Sequence, residues 1–183
     1  MSPEKRREMI VSAVLPLLVE YGAAITTSQI ARAAGIGEAT VFRAFTDKDE
    51  LLDACVAEAV RMDHALDAIA AIPLDIPLDE RLVEAASALA AHMARMGALF
   101  GSLHASGYHR ERRGRPKDAR RESLHAVRDA LAELFEPEAG RLRLPAAQLA
   151  MVLTSLMMNR GRSPENAPST AELIDLFLHG ALT

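Results

Sequence analysis

Tryptophan is absent from the 183-residue chain, and two tyrosines and five phenylalanines leave an aromatic share of only 4%. Strands draw on aromatic and β-branched side chains, so this scarcity argues against a sheet protein. One cysteine, Cys55, excludes an intrachain disulfide and suits a reducing compartment. It reads as a small buried hydrophobe on a helix. The unbroken apolar stretch needed for a secretory signal or a membrane span is also missing. A cytoplasmic protein without membrane contact is therefore expected. No glycine-rich phosphate loop, zinc-binding histidine pair, nucleophile elbow or paired carboxylates stand out. Ser87, Ser102 and Ser106 lie near histidines in sequence, with nothing to orient them as nucleophiles. The six histidines do not form a metal set, since His104 and His109 are close in sequence but lack carboxylate or thiolate company, and no cofactor is expected.

What is present is alanine and leucine, within a chain that is 50% hydrophobic. Both are strong helix formers, and the expectation is an all-α fold of about nine helices. Ser2 and Pro3 open the first helix, Met9, Ile10, Ala13, Val14, Leu17 and Leu18 share one face, and Gly22 ends it. Pro16 predicts a kink. Thr26 with Gln29 fits a capping box for a second helix that stops at Gly35, Thr27 being an equally good cap. A third helix runs from about Glu38 to Phe45. Asp47 and Glu50 then cap a long fourth helix reaching about Ala71, before Pro73 and Pro77. A fifth spans Asp79 to about Met96, and Gly97, Gly101 and Gly107 bracket a short, weaker sixth around Phe100. Three more follow, near 117–135, 145–159 and 170–180.

The stretch from Thr26 to Leu52, TTSQIARAAGIGEATVFRAFTDKDELL, is the informative one. Two short helices joined by a tight glycine-containing turn are the physical content of a helix-turn-helix. Ile30, Ala31, Ala34, Ile36, Val41 and Phe45 supply apolar pins that lock the pair. Glu38, Ala39, Thr40 and Arg43 are left outward, where the second helix of such a motif enters the DNA major groove. The segment resembles the TetR family of bacterial regulators through Thr26, Thr27, Ile30, Ala31, Ala34, Gly35, Thr40, Val41, Phe45, Asp47, Lys48, Asp49, Leu51 and Leu52, in unbroken spacing. That resemblance covers residues 8–60, about the N-terminal third; beyond it only helix number and length agree.

The resemblance implies phosphate contacts from Thr27, Thr40 and Lys48, and groove contacts from Gly37, Glu38, Ala39 and Arg43. Phe42 stands where family members carry a tyrosine whose hydroxyl commonly reaches a phosphate. Gly37 replaces a serine cap, and Ala44 a histidine or tyrosine. Each replacement removes a polar DNA contact. It further implies residues 1–47 as a DNA-binding domain and 48–183 as a regulatory one, binding to double-stranded DNA at a palindromic operator, and a non-enzymatic repressor released by a ligand that moves the fourth helix.

Charge adds less. The net charge is −4, and residues 1–53 hold six Lys/Arg against eight Asp/Glu, so any basic face must come from placement. Residues 110–121 hold seven cations against two anions. This run reads as a solvated interhelical loop. Its core, Arg113-Gly114-Arg115-Pro116, also looks like an AT-hook and could touch phosphates.

Residues 146–160 are apolar nearly all round, which implies burial on more than one side. The last helix adds Leu173, Ile174, Leu176, Phe177, Leu178 and Leu182. Such apolar excess marks a partner surface. In the TetR family the last two helices pair with their symmetry mates, so a homodimer is expected through Leu149, Leu153, Leu156, Leu173, Ile174, Phe177 and Leu178. Met93, Met96, Phe100, His104, Met151, Ser155 and Met158 are candidate contacts for an unknown small, largely apolar ligand, although each methionine could equally fill a core. Two alternatives stay open: an architectural DNA-binding protein without ligand control, and a helical enzyme.

Overall fold

The computed structural model describes residues 2–108, 117–160 and 168–181, with backbone alone at 117–120, 160 and 181. Among these it contains nine α-helices: α1 Pro3–Tyr21, α2 Thr27–Ala34, α3 Glu38–Ala44, α4 Lys48–Ala59, α5 Asp63–Ala70, α6 Leu78–Ala105, α7 Lys117–Glu133, α8 Ala146–Arg160 and α9 Thr170–Ala181. Short 3-10 turns cover Gly22–Ala24 and Glu136–Arg141.

α1 begins as its sequence dictates. Ser2 Oγ accepts from Lys5 N–H at 3.2 Å, and Pro3 occupies the first turn, where a missing N–H is harmless. The helix runs on through Pro16 to Tyr21. Ser12 and Pro16 are both exposed, so the carbonyl deprived of its helical donor lies on the solvated side. The buried stripe is Ile10, Val11, Val14 and Leu18; Met9, Ala13 and Leu17 flank it.

Two expectations about later helices are corrected. The long fourth helix is two helices, separated at Val60–Met62. Cys55, Met62 and Ile69 keep a seven-residue spacing, so the periodicity runs straight through the break. The division follows the cores: Leu51, Leu52, Cys55 and Val56 bury in one cluster, whereas Met62, Ala65 and Ile69 bury in another. Conversely, the fifth and sixth expected helices are one 28-residue helix, α6. Gly97 and Gly101 stay helical at a cost of about 1 kcal/mol each relative to alanine, offset by burial of Leu99 and Leu103. Of these three glycines Gly107 alone takes a positive φ, 83°, and ends the helix, with Tyr108 N–H bonded to the Leu103 carbonyl.

The chain forms two compact units. One gathers α1 to α4 and the part of α6 from Ala94 onward, around Ile10, Val14, Leu18, Ile30, Val41, Phe45, Leu52, Leu99 and Leu103. The other gathers α5, the first part of α6, α7, α8 and α9, around Leu82, Leu89, Leu131, Phe135, Leu153 and Ile174. In this second core Arg81 is fully buried and pairs with Glu138 of the Glu136–Arg141 turn. No described helix is long and apolar enough to cross a membrane.

Candidate nucleic-acid interface

α2 starts on a complete capping box. Thr26 Oγ1 accepts from Gln29 N–H at 3.2 Å, and Thr26 N–H donates back to Gln29 Oε1 at 2.8 Å, so two otherwise unpaired donors are satisfied. Thr26, rather than Thr27, is the cap. α2 stops at Gly35, whose left-handed backbone (φ 65°, ψ 31°) suits a residue without a side chain. Ile36 N–H then returns to the Ala31 carbonyl at 3.0 Å, closing the turn. The pins act as their spacing predicts: Ile30, Ala31, Val41 and Phe45 are buried, and Ala34 and Ile36 are half-buried against the same core.

With its inner side thus occupied, α3 turns the rest outward. Glu38, Ala39 and Arg43 are exposed, as is Gly37 before them; Thr40 is half-buried. Phe42 is 59% exposed, a large aromatic left uncovered. Lys48, the first residue of α4, is exposed, and Thr27, the first residue of α2, is half-buried. Thr27, Phe42 and Lys48 meet around one shallow dent, together with Ile30, Val41, Phe45, Asp47 and Leu51. Residues far apart in sequence thereby share one surface of a single unit.

The corner between α3 and α4 is tightly tied. Asp47 Oδ1 caps α4 by accepting from Glu50 N–H at 2.8 Å, and Glu50 Oε2 accepts from Thr46 N–H at 2.6 Å. Arg7 of α1 reaches the same corner, with Nη2 at 2.7 Å from Glu50 Oε1. The Thr46 N–H foremost, with the Arg7 hydrogen bond next, holds the Glu50 carboxyl below its ordinary range. No helical spacing in the sequence singles out Arg7, because its partners lie 37 and more residues away. Cys55, in the core beneath, is the buried hydrophobe expected, and desolvation pushes its thiol up to about 12.

The remaining sequence candidates are distributed as follows. Met93, Met96, Phe100 and His104 lie on α6; all are exposed except half-buried Met96. On α8, Met151 and Ser155 are exposed and Met158 is half-buried. Of the seven expected dimer contacts, Leu149, Leu153, Leu173, Ile174 and Leu178 are buried in the chain's own core, and Phe177 packs on Phe135 with ring centroids 6.2 Å apart. Leu156, at 40% exposure, stays outward, joined by Val152 and by Leu176 at 72%. Val152 was not among the expected contacts, and Leu176 was expected only as one of the apolar residues of the last helix. Of the basic run 110–121, residues 110–116 lie outside the described residues, as does Leu182. Among the described residues, no group of three or more His, Cys, Asp or Glu could hold a metal ion.

Residues 10–55 match the model of the family described as bacterial regulatory proteins, tetR family. Among solved structures, a TetR-family transcriptional regulator from Streptomyces coelicolor is 22% identical, covering 98% of this chain and 80% of that one, with a TM-score of 0.55. A transcriptional regulator from Rhodococcus sp. Rha1 is 20% identical over 99% of this chain and 98% of that one, at 0.58. NalD, the secondary repressor of the MexAB-OprM multidrug efflux pump in Pseudomonas aeruginosa, is 19% identical over 98% and 96%, at 0.52. No curated protein sequence matches. The matched segment and the helix-turn-helix it builds are similar to those of the tetR family of bacterial regulatory proteins, and the all-helical fold is shared with these solved regulators.

Proposed function

We propose that this regulator is a homodimeric transcriptional repressor whose α3 helices read the two halves of a palindromic operator. The observation that carries this reading is the division of α3: Val41 is buried among the helix-turn-helix pins, while Glu38, Ala39, Phe42 and Arg43 face solvent. A helix held on one side and free on the other is what a major groove admits. Arg43 and Glu38 are the groove-reading side chains, with Gly37 and Ala39 small enough for close approach. Thr27, Thr40 and Lys48 take phosphates, and Phe42 supplies apolar contact at the edge of the same surface. Lys48 and Arg43 bring positive charge to this surface despite the net charge of −4.

Dimerisation uses the outer sides of α8 and α9, where Val152, Leu156 and Leu176 are exposed. Two copies of one patch satisfy a two-fold operator. Repression is the role of NalD, which shares this fold. A small, largely apolar ligand releases the operator, with Met93 of α6 and Met151 and Met158 of α8, all in the second unit, as candidate contacts.

Selection of bound duplexes from a random DNA pool tests the reading. The expected product is a short two-fold motif that the purified chain binds as a dimer. Enrichment of broad A·T-rich tracts, or of nothing, would overturn it.

A further inference from the structure

Arg7 sits outside the surface assigned to DNA, and it is not a core residue either: its side chain is 38% exposed. Its guanidinium nevertheless engages three successive parts of the corner that follows α3. Nη1 donates to the carbonyl of Ala44, the last residue of α3. The guanidinium carbon lies 4.1 Å from the centroid of the Phe45 ring. Nη2 meets Glu50 Oε1 at 2.7 Å. Glu50 extends the grip, taking the Thr46 N–H through its other oxygen and donating its own N–H to Asp47. Every residue from Ala44 to Asp47 is thus held by Arg7 or by Glu50.

The chemistry suits arginine specifically. The last carbonyls of a helix have no intrahelical donor and carry the negative end of its dipole, so a cation there is favoured. A planar guanidinium can donate along two directions while its face covers an aromatic ring. Lysine offers one compact charge and cannot do all three. A seven-residue α3 has little length of its own to fix its direction, and its two ends are fastened differently: Gly37 gives no side-chain cap, whereas the Ala44 end is tied to α1 and α4.

We propose that Arg7 and Glu50 form a positioning pair that sets the tilt and rotation of α3, and therefore sequence discrimination, without touching DNA. The inference rests on the reading of α3 as the groove helix. Arg7→Lys keeps the charge and removes the fork. Its affinity for the duplex selected by the wild-type chain is expected to fall about tenfold, as for loss of a charge-assisted hydrogen bond, while affinity for a random-sequence duplex at the same salt stays within about twofold. Glu50→Gln removes a negative charge from near the DNA, so electrostatics alone would raise both affinities; a positioning role lowers the first. Val14→Ala, a core change in the same helix, serves as the control and is expected to leave the ratio of the two affinities unchanged.

Amide hydrogen exchange without DNA provides an independent arm. Arg7→Lys is expected to speed exchange at Phe45 and Thr46 while leaving α2 as it was. Equal loss of both affinities, a gain in Glu50→Gln, or unchanged exchange at the corner would each overturn the pair. Failure of the wild-type chain to select any duplex would instead count against the proposed function, and the exchange arm would still decide whether Arg7 holds the corner.

Discussion

Replacing Gly22 with alanine should be far more damaging than the same change at Gly35, although both backbones have positive φ. Gly22 closes α1 at φ 54°, ψ −144°, and Gly35 closes α2 at φ 65°, ψ 31°. At Gly35 an added Cβ meets nothing within 4 Å, so the cost is the left-handed backbone alone, about 1 kcal/mol. At Gly22 the Cβ would lie 2.3 Å from Ser106 Oγ and 2.6 Å from the Ser102 carbonyl oxygen. The backbone there is one that only glycine adopts readily, costing about 2 kcal/mol, and the crowding adds about 2 more. Ser106 cannot swing away without loss, because its hydroxyl accepts from Ala23 N–H at 2.7 Å and can donate to the Ser102 carbonyl at 2.8 Å. The difference between the two substitutions is then about 3 kcal/mol, or roughly 6–12 °C in thermal midpoint for a chain of this size. Thermal unfolding followed by circular dichroism reads it directly. Adding Ser106→Ala to Gly22→Ala should recover only part of the loss, since the backbone carbonyl remains. Equal midpoints for the two glycine variants would refute the close-approach reasoning.

Three further outcomes follow from the two cores and the outer face of the last helices. Glu138→Ala strips fully buried Arg81 of its carboxylate and should cost about 3 kcal/mol, whereas Arg81→Met, which removes the charge itself, should cost much less; denaturant midpoints in the reverse order would contradict this. Cys55 should resist thiol reagents at pH 8 until the chain is unfolded. Because its thiol titrates near 12 when folded, against 9.0 for an ordinary one, its contribution to stability should be intact below pH 9 and fall as pH rises towards 12. Leu176→Glu should convert the proposed dimer to monomer in light scattering with little change in thermal midpoint, whereas Ile174→Glu should unfold the chain; a Leu176→Glu chain that still dimerises would contradict an interface there.

How much of this was legible in the residues varied with the range of the interactions. The helix-turn-helix was readable because its determinants are local: Thr26 with Gln29, Gly35, and apolar pins at helical spacing. The α4–α5 break was not, since Cys55, Met62 and Ile69 continue one heptad phase and differ only in the core they join. Gly97 and Gly101 looked like stops because isolated glycine weakens a helix, but the burial of Leu99 and Leu103 outweighs that small cost. The outer side of the last two helices was hard to read for a related reason. Periodicity marks the apolar stripe of α8 and α9 without telling which part the chain buries itself, so buried Leu153 and Ile174 could not be told from exposed Leu156 and Leu176. Arg7 left no sequence signal because its partners meet it only through the fold.

The direct test of a groove-reading α3 is to repeat the duplex selection with Arg43→Ala. If Arg43 reads a base edge, the same two-fold motif should return with one position in each half-site relaxed, reflecting about 1–3 kcal/mol of lost discrimination there. An identical motif, bound with undiminished affinity, would mean that the outer face of α3 does not face the bases.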